Sequence, residues 1–164
     1  MKENSIKEQV LHPEQTAKAA VPAKAREVTE ENPDNCAEEL DERICAALRA
    51  ASDKKALDIV VLDLREVASF TDYFVITSGT NVRQVQAIAD EVVEQLKKQG
   101  TRALRVEGYK TAEWVLVDYG DFIIHVFEDK ARRFYDLERL WRDARRVSLP
   151  PDVAGSDSSL RSEQ

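Results

Sequence analysis

Cysteine is scarce in this chain. There are two, Cys36 and Cys45, with no C-x-x-C spacing between them and only two histidines elsewhere. That leaves no zinc-site signature and no thioredoxin-like redox motif, and a reduced, cytoplasmic setting is expected. Cys45 then reads as a small apolar core residue. Long apolar runs are missing too: none approaches the roughly 20 residues of a membrane span, so no membrane contact is expected. The opening MKENSIKEQVLHPEQ has no hydrophobic core of a signal peptide, and its early acids argue against a transit peptide. Excess positive charge is absent as well. The formal charge is −7 and the pI near 5.0, so direct gripping of a phosphate backbone is not the first expectation. An acidic surface does suit a basic protein partner. Residues 38–146 carry 18 basic and 21 acidic side chains, net −3, leaving −4 to the two tails.

What is present is a body of 164 residues' worth of chain with polar ends. Residues 1–37 are rich in Glu, Lys, Ala and Pro and are expected to be a disordered extension. The tail 147–164, beginning VSLPPDVAGS, reads the same way. The folded domain is therefore expected over 38–146. A helix over about 37–54 follows from Leu40, Ile44, Leu48 and Ala51, with Asp34 or Asn35 as its cap. Leu57–Leu64 is a strand whose run Ile59-Val60-Val61-Leu62 suits burial on both faces. Tyr73–Thr77 is a second strand. Thr80 or Asn81 caps a helix marked by Val82, Val85, Ile88, Val92 and Leu96, and Gly100 stops it. A short strand near 103–107 precedes a hairpin of Glu113–Asp118 and Asp121–Phe127 turned at Tyr119-Gly120. A last helix spans about 129–145, its apolar face built from Phe134, Leu137, Leu140 and Trp141. The class is α/β (α+β): a mixed five-stranded sheet packed with helices.

Five blocks in order, DIVVLDL, TDYFVITSGT, RQVQAIAD, EGYKTAEWVLVDYGDFIIHVF and FYDLERLW, resemble the ribosomal silencing factor (RsfS, or Iojap) family over residues 40–143. The resemblance implies a nucleotidyltransferase-like topology without catalysis, and no cofactor. It implies binding to the large ribosomal subunit through a ribosomal protein (the one numbered fourteenth) on its intersubunit face. It also implies a steric block to small-subunit joining that lowers translation when nutrients run short, and homodimers when free. Organelle relatives assist large-subunit assembly, which is the alternative role. The long N-terminal extension and C-terminal tail depart from the family pattern.

In Glu113–Asp118 the side chains alternate faces. Trp114, Leu116 and Asp118 share one, and Val115, Val117 and Tyr119 the other. With the valines toward the helices, Trp114 and Leu116 form an open apolar patch suited to a docked protein. The resemblance points the same way, since the family meets its partner through the matching tryptophan and leucine. Asp118 stands beside them, while Tyr73 at a strand start and Lys110 before the docking strand are lesser candidates. The bland alternative puts Trp114 and Leu116 under a helix as ordinary core. His125, in phase with Ile123 and Phe127, reads as a hydrogen-bonded structural residue rather than a base or ligand. Asp63, Asp72, Asp118 and Asp121 invite a two-metal nucleotidyl-transfer reading. Asp118 and Asp121 are not a D-x-D pair, however, so no catalytic or metal-binding residue is expected. The basic run from Lys130 to Arg146 interleaves with acids, leaving a minor contact with ribosomal RNA.

Overall fold

The computed structural model describes Cys36 and residues 40–153. The order is α1 (Glu42–Asp53), β1 (Leu57–Asp63), β2 (Tyr73–Gly79), α2 (Val82–Lys98), β3 (Arg105–Glu107), β4 (Trp114–Asp118), β5 (Phe122–Glu128), α3 (Asp129–Tyr135), α4 (Leu137–Leu140) and β6 (Arg145–Arg146). The strands make one sheet ordered β3-β4-β5-β2-β1-β6. Only the central β2–β5 pair is parallel. Both of those strands are buried almost throughout, as strands covered on two faces are.

Two helices cover one face. α1 begins where the Asp41 carboxylate accepts the Arg43 N–H at 2.7 Å, and its small residues Ala47, Ala50 and Ala51 let it lie close on the sheet. α2 begins at Asn81, whose side chain accepts the Gln84 N–H at 2.9 Å. It ends in a Schellman pair of bonds, Thr101 N–H to Leu96 O and Gly100 N–H to Lys97 O. Val85, Ile88, Val92 and Leu96 then meet Val75, Val115, Val117, Ile124 and Val126. The second face holds Leu62, Leu64, Phe74, Ile76, Ile123 and Phe127, and among the described residues only Leu137 of α4 is buried against it from the helical side.

The mixed α/β class is as expected, with a sixth strand, β6, added as two residues on the β1 edge. The single C-terminal helix is not. Asp136 takes a left-handed conformation (φ +46°) and splits it into two short helices. Arg145 and Arg146 then pair with Asp63 and Leu62 instead of continuing a helix. The first helix starts at Glu42 with Asp41 as cap, so the expected caps at 34 and 35 lie outside the described residues.

Reduced thiols are also corrected. Cys45 is buried as expected, but it is joined to Cys36 in a disulfide with the Cα atoms 5.8 Å apart. The packed body runs past its expected end at 146. Val147 and Val153 are buried in the same core cluster as the α1 residues, and Arg49 of α1 meets Asp152 at 3.5 Å. The expected disorder of 1–35 and 154–164 concerns residues outside those described.

Candidate functional site

β4 sits between the edge strand β3 and the buried β5, and its alternation sorts its side chains cleanly. Val115 and Val117 are fully buried toward α1 and α2. Trp114 and Leu116 point to the other face and are half-buried, because α3 and α4 are too short to roof it. The bland alternative is met only in part. Tyr135 of α3 lies against the Trp114 ring with centroids 4.8 Å apart, yet is itself 47% exposed.

The rings on this face are continuous. Phe70, Trp141, Phe74, His125, Trp114, Tyr135 and Phe134 follow one another with centroids 4.4 to 5.9 Å apart. The two ends are open, Phe70 at 57% and Phe134 at 78% exposure, and Leu140, which lines the same groove as Phe134, is 72% exposed. An apolar surface of this extent marks an interaction site more often than plain solvent-facing surface does. Sequence reading placed Phe134 and Leu140 on a buried helix face. The break at Asp136 turns them outward instead.

His125 anchors the middle of this row. It lies opposite Leu116 in the β4–β5 register and accepts the Trp114 indole N–H on Nδ1 at 3.0 Å. Burial lowers its pKa to about 3, so the ring is neutral. An indole nitrogen only donates, so Nδ1 carries the lone pair and the proton sits on Nε2.

The other expected site residues divide. Asp118 shares the face, but its carboxylate is committed: Oδ1 accepts the Gly120 N–H at 2.8 Å and Oδ2 accepts Arg105 Nε at 3.3 Å. The first of these bonds braces the hairpin turn, where Gly120 has φ +91°. Tyr73 does not join them. It is buried on the α1–α2 side with the Arg65 guanidinium over its ring. Lys110 is exposed on the loop before β4.

Of the remaining acids, Asp63 and Asp121 are held by arginines. Arg65 and Arg145 both grip Asp63, and the Arg65 hydrogen bonds hold its carboxyl well below the usual range. Arg43 bridges Asp121 and Asp41. Burial, then the neighbouring Asp121 charge, raises Asp72. Among the described residues no three His, Cys, Asp or Glu side chains converge as metal ligands would. At the Ser78-Gly79-Thr80 turn, the Thr80 N–H is taken by Gln84 Oε1, and Ser78 Oγ meets Arg132 Nη1. What the face offers is area and shape.

A family model described as "Ribosomal silencing factor during starvation" matches residues 37–164. The chain belongs to the ribosomal silencing factor family. It is 44% identical over 103 residues to the ribosomal silencing factor RsfS of Halalkalibacterium halodurans, covering 63% of this chain and 88% of that one. A crystal structure of a Bacillus halodurans protein, 41% identical, superposes with a TM-score of 0.60 over 66% of this chain and 98% of that one. The mouse protein named mitochondrial assembly of ribosomal large subunit protein 1 is 35% identical over 91 residues, 54% of this chain and 40% of its own. The family is one of ribosome-associated regulators of translation. Among the described residues no helix is long and apolar enough to cross a membrane.

Proposed function

We propose that this ribosomal silencing factor docks on a protein at the intersubunit face of the large ribosomal subunit. While bound, it blocks the small subunit from joining. It works by occupancy in the cytoplasm, makes and breaks no bond, and lowers translation when nutrients are limiting. The observation that carries the reading is the half-covered Trp114–Leu116 stripe on a sheet whose opposite face is fully packed. Covering both side chains contributes on the order of 3–5 kcal/mol before the costs of association. Tyr135 widens the anchor, and Lys110 contributes charge at its margin. Arg139 and Arg142, on the exposed side of α4 and after it, supply the minor contact with ribosomal RNA. Free copies pair as homodimers.

Sedimentation of purified subunits through a sucrose gradient tests the proposal. Added protein should travel with the large subunit and leave the two subunits apart under conditions where they otherwise join. Full joining at saturating protein would refute it. A second reading, assistance to large-subunit assembly from the same site, is favoured by the name of the mouse relative. Accumulation of immature large-subunit particles on deletion would select it.

A further inference from the structure

We propose that His125 is the positioning residue of the docking face, its Nδ1 holding the Trp114 indole in the orientation the partner meets. The proposal rests on the docking reading above. It begins from an imbalance. Nδ1 accepts one bond from Trp114 at 3.0 Å, while Nε2, which carries the proton, is buried with no partner among the described residues. A buried donor left unpaired costs at least as much as one neutral hydrogen bond returns. The ring cannot turn to relieve this. Phe74 presses edge-on at 4.4 Å, and the side chain is only 3% exposed.

An apolar residue in phase with Ile123 and Phe127 would therefore fill position 125 at no loss of stability, yet the chain carries a histidine there. A residue that folding alone would not choose, placed directly under the anchor, marks a functional choice. The acceptor gives the half-exposed indole one preferred orientation. Without it the N–H turns to water and the ring moves freely between Phe127 and Tyr135, adding an ordering cost to docking.

Binding is measured in the otherwise unaltered chain; for the fluorescence reading alone Trp141→Phe is added, which leaves Trp114 as the only tryptophan, reporting on itself. His125→Leu should leave the thermal midpoint unlowered, reduce the fluorescence anisotropy of Trp114, and weaken binding to purified large subunits about tenfold. His125→Asn, which returns an acceptor oxygen near the place of Nδ1, should recover binding to within about threefold. Unchanged binding by His125→Leu overturns the proposal. So does a lowered midpoint with Trp114 anisotropy unchanged, since the histidine is then core alone. Trp114→Ala in the same assay separates the two ideas. If it binds as the parent does, the docking reading has failed; if it loses binding while His125→Leu keeps it, only the positioning role has. Should His125→Leu not fold, nitrogen-15 NMR of the parent decides: an unprotonated Nδ1 supports the assignment and a protonated one overturns it.

Discussion

A Cβ placed on Gly108 would run into the carbonyl oxygen of Trp114. Gly108 also holds φ at +79°, a conformation other residues adopt only under strain. The loop entering β4 is thus shaped around the backbone of the residue that leads the docking face.

Gly108→Ala should therefore act twice. Strain and steric overlap together should cost about 1–3 kcal/mol, read as a lower midpoint in urea denaturation. Because the displaced backbone is that of Trp114, affinity for the large subunit should fall as well. A variant as stable as the parent would show that the loop accommodates the methyl group by moving.

Tyr135 was not among the residues the sequence singled out, and its ring lies against Trp114 while remaining 47% exposed. Tyr135→Ala should weaken large-subunit binding by about 1–2 kcal/mol with little change in thermal midpoint. A pull-down titration beside a melting curve checks both halves of that statement.

Asp63 is 8% exposed and gripped by Arg65 and Arg145, which ties β1 to the C-terminal β6. Its folded pKa lies below the unfolded value of about 3.9, so its contribution is complete above that pH and is lost as pH falls through the folded value. Acid titration of stability should show this loss below about pH 4, and Asp63→Asn should flatten that part of the curve. The same substitution should lower stability at neutral pH, where the charge-assisted bonds are intact, by about 1–3 kcal/mol. Identical acid limbs for parent and variant would remove Asp63 from the account.

The alternation along Glu113–Asp118 is legible in the sequence because one face of β4 is packed and the other is not, so period two survives in residue type. α2 is legible for a similar reason: its apolar period, its Asn81 cap and its Gly100 stop all agree. Tyr73 fails where that logic runs out. β2 is buried along its whole length, and a strand apolar on both faces does not reveal which of its two sides faces the helices. The C-terminal break depends on Asp136 at φ +46° and on pairing of Arg145 and Arg146 with a strand some 80 positions earlier. Neither leaves a local trace, so Phe134 and Leu140 read as buried when they are open. The Cys36–Cys45 bond is hidden for the same reason, since it depends on Cys36 lying beside Cys45 on the buried side of α1. The resemblance to a known family supplied the expected role of Trp114 and Leu116. The structure adds their half-burial, their neighbours Tyr135 and His125, and the packing of Val147 and Val153 that carries the body past its expected end.

The most direct measurement is co-sedimentation of the Trp114→Ala, Leu116→Ala double variant with purified large subunits, run beside circular dichroism of the same sample. Both side chains are half-exposed, so the variant should keep the parent's spectrum and a cooperative melt, while its large-subunit fraction falls to background. Parental co-sedimentation by a folded double variant, or loss of the fold itself, would contradict a docking role for this stripe.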